Sequence, residues 1–166
     1  ILVDRRVVEE AIRIDGLTHG KLITEIQNLT DLENPNSVVQ MKGWLSEKGL
    51  EIDGLGKKQV VALLKDAEGD LERVLALRLQ LAKSSVKKYS AMMNSMCVDG
   101  RVRGMFQFYG ANRTGRYAGR IVQLQNLPQN HIADLDNARA LLSDCNSEAL
   151  EMLYGDVPDV LSQLVR

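Results

Sequence analysis

Histidines and cysteines are the residues most able to form a catalytic or metal centre, and their spacing in this chain is unfavourable. His19 and His131 are the only histidines and lie far apart, without a metal-ligand or nucleophile partner nearby. We expect a solvated or capping role for each. Cys97 and Cys145 have no CxxC spacing and no neighbouring histidine, so buried reduced thiols are expected. The sequence predicts no catalytic or metal-binding residue.

Nucleotide-binding loops and catalytic acid pairs are not indicated either. The stretches "GLTHG" and "DGLG" are too short, and in the wrong context, for a phosphate-binding glycine loop. The acid pairs, such as Glu9 with Glu10, resemble helix-face charges.

No apolar run approaches the length of a membrane span and no signal pattern is seen, which predicts a soluble, cytoplasmic chain without a membrane partner. Because the chain starts at Ile1 and stops just after an apolar run, we expect a piece of a larger protein.

Binding chemistry is concentrated in "RTGRYAGRIVQLQNLPQ", residues 113–129, which we call the arginine–amide segment. It has three arginines and four amide side chains but no acid. Arginine and amide groups hold phosphates, and they also reach minor-groove acceptors with little dependence on base sequence. This set of residues suits a protein that must hold any duplex.

The charge of the chain is strongly segregated, although its net value is only -1. Residues 73–120 contain ten basic residues and one acid, whereas the remainder contains 11 basic and 21 acidic residues. Five of the seven aromatic residues lie in the same basic block. Positive charge interleaved with aromatic rings is typical of a surface that binds a polyanion. The alternative is a basic surface without a partner.

Helical periodicity dominates the elements that would position these residues. It predicts helices over about 4–29, with Gly16 and Gly20 as candidate interruptions, over about 57–65, and over about 134–142, 147–154 and 158–165. Another helix is predicted to start at Ser37 as N-cap, with Gln40 as its capping-box partner, and to end at Gly49. Its core-facing residues are predicted to be Val38, Met41, Trp44 and Leu45.

Two further features complete the predicted fold. An apolar stripe from Asp70 to Met96 predicts one helix of about seven turns. A turn at Asp99 and Gly100 precedes "RVRGMFQFYG", the one stretch with the alternation typical of strands. The fold class is therefore predicted to be mainly α with a small β element, an α+β fold.

The sequence "TGRYAGRIVQLQNLP" resembles the thumb-to-palm segment of family A DNA polymerases, the bacterial polymerase I type, whose pattern is T-G-R-L-S-S-x-x-P-N-L-Q-N-I-P. Without a gap, residues 114–116 match T-G-R and residues 124–128 match L-Q-N-I-P. Residues 117–119 depart from L-S-S, and Val122 with Gln123 departs from P-N. Phage-encoded members of the family offer the nearest resemblance, which implies that the chain is phage or prophage encoded.

The resemblance implies a helical thumb with long antiparallel helices over residues 1–97. It implies a partial palm over residues 98–166, with short strands, a DNA-contacting loop and short helices. Arg116 would read the minor-groove edge at the primer terminus, and Gln125 and Asn126 would contact template or primer nearby. The stretch "NPNSVVQM" resembles the family's helix start at the thumb, so Asn36 and Ser37 would bind backbone phosphate.

Four more choices complete the predicted DNA-binding set. Thr114 belongs to the matching segment, and Arg113 directly precedes it in the arginine–amide segment. Lys83 and Lys87 are added for their charge and not from the resemblance. The predicted helix places them a turn apart on one face.

The resemblance also implies what the chain lacks. Family A polymerases transfer a nucleotide with two metal ions held by palm aspartates, and no Asp follows Pro128 in an apolar strand context. We therefore expect the primer-template-binding portion of a DNA-directed DNA polymerase, inactive by itself, with Mg²⁺ and dNTP belonging to the parent enzyme. Exposed palm surface would favour non-native self-association. The alternatives are a stand-alone helical nucleic-acid-binding module and a helical protein-interaction domain.

Overall fold

The computed structural model describes residues 1–83 and 86–165, and these form helices with one small antiparallel sheet. The predicted α+β fold class is confirmed. In chain order the elements are α1 (Arg5–Thr30), α2 (Val38–Glu47), α3 (Lys57–Leu63), α4 (Gly69–Leu81), α5 (Lys87–Ser95), β1 (Phe106–Ala111), β2 (Arg116–Gly119), the 3-10 helix η1 (Leu124–Asn126), α6 (Leu135–Ser143), α7 (Ser147–Tyr154) and α8 (Val157–Leu164).

Two compact units are formed by the chain, unit 1 from Ile1–Gly16 and Lys83–Arg166, and unit 2 from Leu17–Ala82. Each unit has its own apolar core. The core of unit 1 includes Val8, Ala11, Ile14, Tyr89, Met92, Val122, Leu142, Leu150 and Leu161. The core of unit 2 includes Leu22, Ile26, Met41, Trp44, Leu45, Val60, Val74, Leu75 and Leu77. The thumb and palm bounds inferred from the resemblance stay a prediction.

Helix α1 runs through both of the glycines named as candidate interruptions. It starts after Asp4, whose Oδ1 accepts from the backbone N of Arg6 at 3.0 Å. Gly16 and Gly20 lie inside the helix, and a glycine there costs ~1 kcal/mol relative to alanine. Buried residues on both sides, Ile14 and Leu22 among them, offset that cost. The predicted helix over 4–29 is therefore confirmed, and neither candidate interruption occurs, because tertiary packing outweighs local propensity.

Helix α2 begins as predicted, with one half of the capping box absent. Ser37 Oγ accepts from the backbone N of Gln40 at 3.4 Å, which confirms Ser37 as N-cap. The Gln40 side chain instead accepts from the backbone N of Asn34 at 2.8 Å. Met41, Trp44 and Leu45 are buried, but Val38 is exposed, so its predicted core position is wrong. A residue in the first turn has no neighbouring helical turn before it to help cover its side chain.

The seven-turn helix predicted from Asp70 to Met96 is wrong, since the chain forms two helices there. α4 ends at Leu81 with Ala82 as C-cap, and α5 begins only at Lys87. Their apolar faces belong to different cores: Leu75 is buried in unit 2, and Tyr89 in unit 1. A single apolar stripe read along the sequence cannot distinguish one helix from two that bury their faces in separate cores.

The sheet is a hairpin of β1 and β2, and its second strand was missed in the sequence. Phe106 pairs with Gly119, Gln107 with Ala118, and Ala111 with Arg116. A bulge therefore places residues 108–110 opposite the single residue 117. β2 has only four residues, two of them Ala and Gly, which do not give the alternation that marks a strand.

The three C-terminal helices agree with the predicted ranges to within a residue or two. Each has a polar N-cap whose side chain accepts from a first-turn amide, namely Asp134, Asn146 and Asp156. α8 is the most buried of them, and it buries even Ser162 and Gln163. Within the described residues, no helix has the length and apolar character needed to cross a membrane.

Candidate nucleic-acid interface

The arginine–amide segment comprises the end of the hairpin turn, strand β2 and the loop that contains η1. The turn closes tightly, since the backbone N of Thr114 and that of Gly115 both donate to Ala111 O, at 3.0 and 2.9 Å. Gly115 adopts a φ of +65°, which is readily available to glycine. This turn holds Arg113 and Thr114 at the exposed end of the hairpin.

The arginines of the segment are exposed and differ in their bonding. Arg113 and Arg116 make no ion pair with any carboxylate in the part of the chain that the structure describes. Arg120 donates from its guanidinium to Gln107 Oε1, across the hairpin. Arg113 and Arg116 are therefore the cations of this segment that are most available to an external anion.

A buried anchor fixes the loop after β2. Val122 is 1% exposed and belongs to the core of unit 1, whereas its neighbours Ile121 and Gln123 are exposed. Both neighbours have left-handed backbone, with φ of +59° and +51°. For a β-branched residue such as Ile121 this conformation costs on the order of 1–2 kcal/mol. The strain is tolerated because it lets Val122 enter the core while the polar residues stay outside.

The amides predicted to contact DNA lie together in η1. Gln125 and Asn126 are exposed, and the Asn126 side chain donates to Gln123 Oε1 at 2.9 Å. The Gln125 side chain lies against Gly119, where an added Cβ would fall 2.1 Å from Gln125 Nε2. Gly119 thus leaves room for the Gln125 side chain beside β2.

Lys88 helps to position the η1 loop, although it was not among the residues predicted from the sequence. Its Nζ donates to Asn126 O at 2.9 Å, so α5 holds the η1 loop from a distance of 38 residues along the chain. Burial lowers the pKa of Lys88 from its usual value. The charge block contained this lysine, but the spacing from Lys83 along the predicted helix favoured its neighbour Lys87. Only the tertiary structure brings it to the segment.

The two lysines chosen from charge alone do not share a helix face. Lys83 lies outside the helices, and its Nζ pairs with Asp159 Oδ1 and lies 3.9 Å from Asp156 Oδ2. Lys87 is exposed at the first position of α5. Their predicted spacing is therefore wrong, because it depended on the helix that breaks between them. Lys83 is largely neutralised within its own unit.

Asn36 and Ser37 form a separate group in unit 2. Ser37 Oγ is the N-cap of α2, but its hydroxyl hydrogen remains available to an acceptor. Asn36 Oδ1 accepts from Arg78 Nη1 at 3.4 Å; Asn36 is exposed, whereas Arg78 is partly buried. The other seven predicted residues belong to unit 1. A helix start beside an arginine is a favourable local arrangement for a phosphate.

The residues set aside as non-catalytic have clear structural surroundings. His131 Nε2 lies 3.1 Å from Asp159 Oδ2, and its backbone N donates to the buried Gln163 at 2.8 Å. Cys97 and Cys145 are exposed, so the prediction of buried thiols is wrong. Both follow the end of a helix, Cys97 after α5 and Cys145 after α6.

All of this chain aligns with part of one curated protein. It is similar to a phage DNA polymerase. The identity to "DNA polymerase" from Bacillus phage SP02 is 54% over 167 aligned positions, which cover 100% of this chain and 26% of that protein. No family model matches the chain, and no solved structure matches it.

The similarity confirms the predicted relationship to a phage-encoded DNA polymerase. It extends well beyond the residues that match the family motif, since it covers both units. The chain spans about a quarter of its relative's length. Membership of family A, the thumb and palm assignment and the DNA-binding role of each residue stay predictions.

Proposed function

We propose that this chain is the primer-template-binding portion of a DNA-directed DNA polymerase of family A. The observation that carries the proposal is the 54% identity of the whole chain to a phage DNA polymerase. The arginine–amide segment supports the same function, because it presents Arg113, Arg116, Gln125 and Asn126 on one exposed stretch of unit 1. These groups bind phosphate and the minor-groove edge of any base pair.

The charge around the segment also favours DNA. No Asp or Glu lies between Asp99 and Asp134, a stretch that contains five arginines. One of these, Arg103, pairs with Asp99 at 2.6 Å. The guanidinium lowers the pKa of Asp99 to about 2, so this pair stays charged at neutral pH. The remaining arginines provide a surface of one sign, which attracts a polyanion.

Catalysis is assigned to the longer protein. Two-metal nucleotidyl transfer needs carboxylates that converge on the metals. Within the described residues no group of three or more His, Cys, Asp or Glu is arranged to hold a metal ion. We place the Mg²⁺ sites and the dNTP site in the parent polymerase, and we expect the 166-residue chain to bind DNA without extending a primer.

Two measurements test this proposal. The coding frame beyond Arg166 should encode an apolar strand bearing an aspartate, followed by a basic helix; a stop codon directly after Arg166 would contradict a polymerase parent. Fluorescence anisotropy with a labelled primer-template should show binding of the chain at low ionic strength. Undetectable binding there would contradict the DNA-binding role, whatever the reading frame contains.

A further inference from the structure

The hairpin exposes an unusual share of the protein's aromatic side chains. All seven aromatic residues lie within the described part of the chain, and Trp44 and Tyr89 are buried. Phe106, Phe108, Tyr109 and Tyr117 are 53%, 73%, 56% and 65% exposed, and all four are on β1 and β2. Large exposed apolar groups concentrated on one element mark a binding surface.

Three of these rings form a connected group, which we call the aromatic cluster: Phe108, Tyr109 and Tyr117. Phe108 and Tyr117 meet edge to face, with centroids 5.5 Å apart, and Phe108 and Tyr109 are 6.3 Å apart. Such contacts favour a fixed arrangement of the rings. Phe106 has no ring contact with this cluster among the described residues.

The backbone is distorted where it presents these rings. The bulge places residues 108–110 opposite Tyr117, and Tyr109 adopts a φ of +52°. A left-handed tyrosine costs on the order of 1–2 kcal/mol. Bulges redirect side chains, and strained backbone is concentrated at functional sites. The ring of Tyr109 also lies over Gly115, where an added Cβ would fall 3.0 Å from Tyr109 Cε2.

The electrostatic surroundings of the cluster select the kind of partner. Arg116 precedes Tyr117 in β2, and Arg113 lies in the turn that joins the strands. No acidic residue occurs anywhere in the hairpin. Aromatic rings combined with unpaired arginines are the groups with which proteins hold single-stranded nucleic acid, because every base has a π face and every linkage a phosphate. An apolar protein partner would not require this positive charge.

We propose that the aromatic cluster is a stacking platform for unpaired nucleotides of a DNA strand. This inference rests on the proposed function, since it assigns a second part of the same DNA substrate to the same unit. The cluster binds the single-stranded extension, while Arg116, Gln125 and Asn126 bind the paired end. The chain therefore prefers a duplex with an unpaired extension to a blunt duplex of the same length.

The test compares three DNA probes at low ionic strength: a blunt duplex, the same duplex with an unpaired extension, and the extension strand alone. A 2-aminopurine in the extension reports stacking through its fluorescence. Phe108→Ala should weaken binding of the extended duplex and of the single strand about tenfold, equivalent to ~1.4 kcal/mol. It should leave blunt-duplex binding unchanged, and Phe108→Trp should retain both the affinity and the fluorescence change.

Phe106→Ala is the matched control, since it removes the same ring from the same strand but outside the cluster. Its affinity for all three probes should equal that of the unaltered chain. Circular dichroism of each variant should show unchanged helix content and melting temperature. If Phe108→Ala and the unaltered chain bind the single strand equally, the stacking role is overturned.

The remaining outcomes separate this inference from the function on which it rests. If Phe108→Ala changes only the sedimentation of the chain, from dimer to monomer, the cluster is a protein contact and the inference fails. If the blunt duplex binds normally but the extension adds no affinity, the inference fails while the proposed function stands. If neither duplex nor single strand binds, both fail.

Discussion

At the scale of single residues, the exposed arginines of the arginine–amide segment are the groups most open to test. Arg116 makes no ion pair with any described carboxylate, and its position in β2 is fixed by pairing with Ala111. Arg113 has the same charge but lies in the turn. The two therefore differ in position while sharing their chemistry, and each serves as a control for the other.

Arg116→Ala should weaken discrimination against a mismatched primer end about tenfold, since a specific groove contact contributes ~1–3 kcal/mol. Its effect on overall binding to a matched end should be smaller. Arg113→Ala, which removes a phosphate partner, should weaken matched and mismatched ends alike. Anisotropy titrations with the two primer ends provide the measurement. Equal losses on both ends in Arg116→Ala would argue against the minor-groove role.

Tyr89 offers a residue-scale prediction about stability. It is 2% exposed and its hydroxyl donates to Leu161 O at 2.8 Å. At pH 8, Tyr89→Phe should lower the free energy of unfolding by ~1 kcal/mol, because the buried Leu161 carbonyl loses its donor. Urea titrations followed by circular dichroism measure this difference.

The difference in unfolding free energy between the unaltered chain and Tyr89→Phe should also depend on pH. Burial raises the pKa of Tyr89 far above its usual range. Above about pH 10 the unfolded tyrosine ionises while the folded one stays neutral, so the unaltered chain loses up to ~1.4 kcal/mol per pH unit. Tyr89→Phe lacks this loss, and the stability gap between the two should shrink from pH 8 to pH 11. A constant gap would show that Tyr89 is not held neutral.

At the scale of elements, side-chain caps at helix starts stabilise this fold, and one of these starts is also predicted to bind phosphate. α2, α6, α7 and α8 each have a side-chain N-cap. The cap of α2, Ser37, is also a predicted phosphate ligand, so its two roles must be separated. Aspartate is as good an N-cap as serine, but it repels phosphate.

Ser37→Ala should lower the free energy of unfolding by ~1 kcal/mol and weaken DNA binding. Ser37→Asp should keep the stability of the unaltered chain but weaken DNA binding further, because the cap is preserved and the charge is wrong. Urea titrations and anisotropy measure the two effects. Normal DNA binding by Ser37→Asp would contradict the phosphate role of Ser37.

At the scale of the whole molecule, the near-neutral net charge conceals a division into a basic block and an acidic remainder. Ion pairs reduce the effective charge of the block, because Arg73 pairs with Glu25 and Lys83 with Asp159 and Asp156. Burial raises the pKa of Asp159, but the lysine and other partners outweigh it and the net shift is downward. Asp159 thus stays ionised beside Lys83 at neutral pH.

DNA affinity should fall steeply with salt, with a slope of about −3 or steeper in a plot of log affinity against log salt concentration. Each unpaired cation contributes about one unit, so Arg113→Gln should make the slope shallower by about one. Lys83→Gln, which removes a cation already paired, should leave the slope unchanged. A slope near zero in the unaltered chain would exclude phosphate neutralisation as the source of affinity.

The sequence by itself determined the features that depend on local chemistry. The fold class, the turn at Asp99 and Gly100, the cap at Ser37 and the three C-terminal helices follow from periodicity and capping, which act within a few residues. The match of residues 114–116 and 124–128 to the polymerase motif predicted a relationship to DNA polymerases. The 54% identity of the whole chain to part of a phage DNA polymerase then confirmed that relationship.

Only the tertiary structure decided the features that depend on distant partners. The break after Leu81 follows from burial in two separate cores, and the pairing of Lys83 with Asp159 follows from the position of α8. Strand β2 exists because β1 lies beside it, and Lys88 reaches Asn126 across 38 positions of sequence. Burial, strand pairing and ion pairing all depend on which residues meet in space, which sequence spacing does not specify.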